Sequence, residues 1–141
     1  MQDTDDNRKT RTLRPAIYLR VSTEDQWNKY WLQLQEDIIR SFIKNRVDYN
    51  NHSDTPIYID NWLSWTLEFR KRPALNKLFE DIKYSPEWKP PFDVVVVYKI
   101  DRFARDLKVL LEIIAELDQY KISFASTQEL IDTSTPFGKA M

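Results

Sequence analysis

Four consecutive valines, Val94 to Val97, run into the charged octet Tyr98-Lys99-Ile100-Asp101-Arg102-Phe103-Ala104-Arg105. Beyond it, Leu107, Leu110, Leu111, Ile114 and Leu117 recur at helical spacing. A short run of β-branched residues with no polar alternation reads as a strand buried on both faces, which requires layers of chain above and below it. If Asp101 opens the following helix, Arg102 and Arg105 share one face near its exposed amides. Two guanidiniums beyond the carboxyl end of a central strand describe an anion site that a phosphate fits. The competing reading is that Asp101 caps the helix and the arginines are solvated, although arginine in a first turn opposes the helix dipole.

The rest of the chain supplies the other layers. Residues 1–13 are polar and aperiodic and read as a disordered leader, leaving residues 14–141 as one domain. A strand over Ala16–Val21 is broken by Ser22-Thr23-Glu24-Asp25-Gln26, and Trp31, Leu34, Ile38, Ile39, Phe42 and Ile43 define an amphipathic helix from about Tyr30 to Arg46. The unit repeats as a strand over Ile57–Ile59 and a helix burying Leu75, Leu78, Phe79 and Ile82, with Pro73 in its first turn. Proline-rich chain from Tyr84 to Pro91 leads into the valine strand, and Ile122–Ser126 forms one more. Strands alternating with helices predict an α/β fold: a mostly parallel sheet of four to five strands with helices on both faces, three layers in all. The pattern leaves strand order open.

Composition removes several function classes. No cysteine is present and the single histidine, His52, lies in a polar stretch, so neither a disulfide framework nor a thiolate metal site is expected. Gly138 is the only glycine, which rules out the glycine-rich phosphate loops of nucleotide-dependent enzymes. With a net charge of −1, any contact with nucleic acid has to come from a local basic cluster. No apolar stretch is long enough to span a bilayer and no signal segment opens the chain, so a cytoplasmic protein without membrane contact is expected.

Loops that follow parallel strands gather along one edge of the sheet. Here they bring Arg20 and Ser22, the Asp60–Arg72 stretch, Asp101 with Arg102 and Arg105, and Thr127 with Gln128. A hydroxyl can attack a phosphodiester, and guanidiniums match the charge that grows on the non-bridging oxygens. Arginine stays charged throughout, so such a pocket needs no metal or other cofactor. Losing one fixed donor of this kind costs on the order of a hundredfold to a thousandfold in rate. Read alone, Ser22 is more readily a helix cap or turn residue, Gln35 a solvated helix position, Tyr18 a core aromatic, Asp60 a turn former and Arg72 a loop charge.

Three blocks change that balance: Tyr18-Leu19-Arg20-Val21-Ser22-Thr23-Glu24-Asp25-Gln26, Val95–Arg105, and Asp132-Thr133-Ser134-Thr135-Pro136-Phe137-Gly138-Lys139-Ala140-Met141. In order and approximate spacing they resemble the serine recombinase (resolvase/invertase) catalytic domain, in wording nearest the large integrase and transposase types. The resemblance implies a resolvase-like fold and a site-specific DNA recombinase. Ser22 would be the nucleophile forming a 5′-phosphoserine link, with Arg20, Arg72, Arg102 and Arg105 holding the phosphate. Gln35, Tyr18, Asp60 and Asp101 match further site positions, Asp101 serving either as the proton acceptor for Ser22 or as a holder of the two arginines. Double-stranded DNA, homodimers and tetramers, and a nucleoid-associated location are implied as well, while no cofactor is.

Two departures accompany the resemblance. Where the family has an acidic Gly-Ile-Ser-Gly-like loop, this chain has Asp60-Asn61-Trp62-Leu63-Ser64-Trp65, although Arg72-Pro73-Ala74-Leu75 fits the Arg-Pro-x-Leu pattern that follows. The sequence also stops at Met141, where the family's long oligomerisation helix begins. These 141 residues alone are therefore expected to be folded, catalytically silent and weak, unspecific DNA binders. The alternatives are a catalytically inactive recombinase-like regulatory or assembly module, and an unrelated enzyme acting on a small phosphoester.

Overall fold

The computed structural model describes residues 12–21, 28–50, 54–61, 72–86, 88–100, 107–129 and 131–134. In chain order the elements are β1 (Pro15–Val21), α1 (Asn28–Lys44), β2 (Ile57–Asn61), α2 (Pro73–Lys83), β3 (Val94–Val97), α3 (Leu107–Gln119), β4 (Ser123–Ser126) and β5 (Ile131–Asp132). The sheet runs β2-β1-β3-β4-β5; every pairing is parallel except the last, in which β5 lies antiparallel to β4. This is the α/β architecture expected from the alternation of strand and helix patterns.

Strand order explains the layers. From β1 the chain steps outward to β2, then crosses back over β1 to β3 and continues to β4. Right-handed crossovers that reverse direction place the first helix on one face of a sheet and the next two on the other. The core divides that way. Ile17, Leu19, Val94, Val96 and Ala125 pack with Ile39 and Ile43 of α1. On the opposite face Ala16, Tyr18, Val95, Val97 and Phe124 pack with Leu75, Leu78, Phe79 and Ile82 of α2 and Leu110, Ile113 and Leu117 of α3. All four valines of β3 are buried, as a strand covered on both faces requires.

Several boundaries differ from the sequence expectation. Helix α1 begins and ends two residues earlier than the predicted Tyr30–Arg46, and β4 begins at Ser123 rather than Ile122. In α3 the buried stripe is Leu110, Ile113 and Leu117, whereas Leu107 and Leu111 are exposed. The helix is apolar around more of its circumference than one contact face can cover, so periodicity overstates its buried set. Leu13, at the edge of the stretch read as a leader, joins the folded backbone: its N–H donates to Asp48 O at 2.7 Å and its carbonyl accepts from Asn50 N–H at 2.8 Å. Strand β5, of only two residues, adds the fifth strand to the four that the sequence pattern marks.

Candidate phosphoryl-transfer site

Parallel order reverses between β1 and β3, and the crevice at the carboxyl ends of such a pair is where ligands of doubly wound sheets bind. Tyr18 of β1 pairs with Val97, the last residue of β3, and β1 continues through Leu19 and Arg20 to Val21. Ser22 follows β1 directly, and Asp101, Arg102 and Arg105 follow β3. These four predicted residues lie outside the described residues, as do His52 and the tryptophan-bearing stretch 62–71.

The other five predicted positions are described, and all are buried: Tyr18, Arg20, Gln35, Asp60 and Arg72. Arg20 stands opposite Asp60 in the β1–β2 pairing. The Asp60 carboxylate sits at the start of α2, accepting from Ala74 N–H at 2.7 Å and Leu75 N–H at 3.2 Å. Arg72, the residue that precedes the helix, has extended backbone and no side-chain cap bond, so Asp60 caps α2 from a neighbouring strand. Tyr18 donates its hydroxyl to Asp60 Oδ2 at 2.5 Å. Burial, then the Asp60 carboxylate, hold the Tyr18 phenol far above the ordinary tyrosine range, while the Arg72 guanidinium beside the same hydroxyl pulls the other way. On the opposite face of the sheet, α1 supplies Gln35, whose Nε2 donates to the carbonyl of Arg20 at 3.4 Å. A buried glutamine there holds the end of β1 rather than facing solvent.

Arg72 is fully buried and Arg20 nearly so. Their donors Arg20 Nε, Arg72 Nε and Arg72 Nη2 make no hydrogen bond among the described residues, though each guanidinium has other interactions. Charge in a protein interior is costly without a compensating partner, and among the described residues the buried groups here are the guanidiniums of Arg20 and Arg72 and the carboxylate of Asp60. Arginine offers planar, paired donors suited to a phosphate's non-bridging oxygens, and a charged group held rigid in such a place serves phosphoryl chemistry well.

The fourth loop behaves differently from its sequence expectation. Thr127 is buried and spends its hydroxyl on the carbonyl of Tyr98 at 2.7 Å, and Gln128 Nε2 donates to Thr127 Oγ1 at 3.3 Å. Both side chains serve the exit of β3. Sequence reasoning passed over Glu129, whose carboxylate meets Ile100 N–H, and Asp132, which accepts from Tyr49 Oη at 2.6 Å and pairs with Arg46 at 3.0 Å. The signal for Glu129 was the Ser126-x-x-Glu129 spacing, which lets a serine hydroxyl and a carboxylate meet across a turn. For Asp132 no local pattern pointed to partners more than eighty residues upstream.

Among the described residues no group of three or more His, Cys, Asp or Glu could hold a metal ion, and no helix is long and apolar enough to cross a membrane. The fold and the described part of the site define a doubly wound α/β domain with buried arginines near the carboxyl end of β1 and just before α2.

Comparison with known proteins makes that class specific. The family model described as Resolvase, N terminal domain, matches residues 15–141, and the chain belongs to this family, the catalytic domain of serine recombinases. The chain is 35% identical over 121 residues to a protein named Probable DNA-invertase y4cG from Sinorhizobium fredii, covering 86% of this chain and 32% of that protein. To the Transposon Tn917 resolvase of Enterococcus faecalis it is 40% identical over 122 residues, covering 86% of this chain and 53% of the other. The crystal structure of the N-terminal catalytic domain of TP901-1 integrase superposes with a TM-score of 0.66 at 29% identity, covering 89% of this chain and 85% of that one. The chain thus spans about a third of the length of the first of these curated relatives and about half of the second.

Proposed function

We propose that this domain cuts and rejoins DNA at specific sites by transesterification, with Ser22 as nucleophile. Supporting this most directly is the burial of Arg20 and Arg72 with the Tyr18–Asp60 pair at the carboxyl edge, where β1 leads within two residues from Arg20 to Ser22. In the reaction the Ser22 oxygen bonds to the scissile phosphorus, the bond from phosphorus to the 3′ oxygen breaks, and the leaving oxygen takes up a proton. The Ser22 proton passes to a base, for which Asp101 is the candidate. One phosphoester replaces another, so the 5′-phosphoserine link stores what rejoining needs, and reversal by a new 3′ hydroxyl completes strand exchange. Arg20, Arg72, Arg102 and Arg105 hold the phosphate and stabilise the charge developing on its non-bridging oxygens.

Strand exchange needs two duplexes, and four serines to cut four strands, so the working form is a synaptic tetramer of the full-length protein on double-stranded DNA in the nucleoid. Cleavage of a nicked recombination site by the full-length protein tests the reading. A covalent protein-DNA adduct mapping to Ser22, lost in Ser22→Ala and kept in Ser41→Ala, is the expected result. DNA binding without any adduct would overturn it in favour of a regulatory module.

A further inference from the structure

The exit of β3 is held by a turn that belongs to another part of the chain. Past the β3–β4 ladder, Thr127 N–H donates to Val97 O at 3.1 Å and Gln128 N–H to Tyr98 O at 3.2 Å. The Thr127 hydroxyl adds a second bond to the same Tyr98 carbonyl, at 2.7 Å. Next along the turn, Glu129 places both carboxylate oxygens 3.3 Å from Ile100 N. Ser126, fully buried at the end of β4, donates its hydroxyl to Glu129 Oε1 and so fixes how that carboxylate is turned. Ile100 itself packs at the margin of the core formed with α2 and α3. Ile100 directly precedes Asp101 in the chain.

We propose that Glu129 is a positioning residue for strand cleavage: through the Ile100 amide, and oriented by Ser126, it fixes the backbone at the exit of β3, immediately before Asp101 in the chain. This rests on the assignment of Arg102 and Arg105 to the phosphate. A carboxylate suits the task because it accepts from an amide and a hydroxyl together, and charge-assisted bonds are about twice as strong as neutral ones. Purely structural use fits less well. Glu129 is exposed, adds nothing to either core cluster, and follows a turn already bonded through Thr127 and Gln128. What it adds is definition at one amide, one residue short of the predicted site. Catalytic groups displaced by about 1 Å lose on the order of a hundredfold in rate, so such definition matters there more than elsewhere.

The test compares Glu129→Ala and Glu129→Gln in the full-length protein on nicked recombination-site DNA. In Glu129→Ala the rate of Ser22 adduct formation at saturating DNA is expected to fall about tenfold to a hundredfold, with DNA affinity and thermal midpoint unchanged. Glu129→Gln, which keeps an oxygen facing Ile100, is expected to recover most of that loss. Hydrogen exchange at the Ile100 amide is expected to speed up several-fold in Glu129→Ala while the Val96 amide stays as it was. A wild-type adduct rate in Glu129→Ala, unchanged exchange at Ile100, or a loss that tracks the thermal midpoint and is not rescued by glutamine would each overturn the role. Absence of the Ser22 adduct in the unmodified protein would instead overturn the function reading, and this role with it.

Discussion

Asp60 does the most with the fewest atoms. One carboxylate near the end of β2 caps α2 through two amides and accepts the Tyr18 hydroxyl, all in a buried setting. Removing it leaves those donors buried and unsatisfied beside two buried guanidiniums. Asp60→Ala is therefore expected to lower unfolding free energy by about 2–4 kcal/mol in urea denaturation, and Asp60→Asn, which keeps an acceptor but not the charge, by less. A change below about 0.5 kcal/mol in Asp60→Ala would show that the cap and the tyrosine bond are replaceable by solvent. From sequence, Asp60 was legible as a site position only through the resemblance. Its capping role was not, because the helix amides it serves lie fourteen and fifteen residues further along the chain and its partner Tyr18 forty-two residues before it.

At the level of elements, helix periodicity identified the buried face of α2 completely and that of α3 only in part. Leu75, Leu78, Phe79 and Ile82 are the buried set of α2 and were the predicted one. For α3 the apolar positions outnumber those that one sheet face can cover, which leaves Leu107 and Leu111 outside. Leu78→Ala is expected to cost about 2–5 kcal/mol, and Leu111→Ala to stay within about 0.5 kcal/mol, by the same urea titration. Equal losses would mean that Leu111 is covered in the isolated domain. Gln35 and Thr127 show the complementary case. Gln35, read alone, is a solvated helix position and Thr127 a group offered to the carboxyl edge, yet both turn inward to satisfy a strand-end carbonyl.

Across the whole molecule the two faces of the sheet are each tied by a buried tyrosine–carboxylate pair. Tyr18 meets Asp60 on the face covered by α2 and α3, and Tyr49 meets Asp132 on the face covered by α1, where Arg46 also reaches Asp132. Burial and then the neighbouring carboxylate raise both phenols well above the ordinary tyrosine value, and Tyr58 beside Asp81 is raised in the same way. A phenol raised in the folded state stabilises that state below the unfolded value near pH ~10, and the contribution is lost as pH climbs beyond it. The phenolate absorbance of these three tyrosines is therefore expected to appear together with the loss of far-ultraviolet circular dichroism, in one steep alkaline step. Smooth ionisation of all seven tyrosines with the helices intact would contradict the burial of these pairs.

The sequence by itself determined the alternation of strands and helices, the double burial of β3 and, through three motif blocks, the family. Each of these is written in residues close together in the chain, where hydrophobic period and local order of side chains carry the information. Only the tertiary structure decided that β1 and β3 lie side by side at the switch point, that Asp60 caps a helix it does not belong to, and that Glu129 reaches the amide before Asp101. The physical reason is common to all three. They are hydrogen bonds and pairings between segments distant in sequence, selected by which crossover buries the most apolar surface and leaves the fewest polar groups unsatisfied.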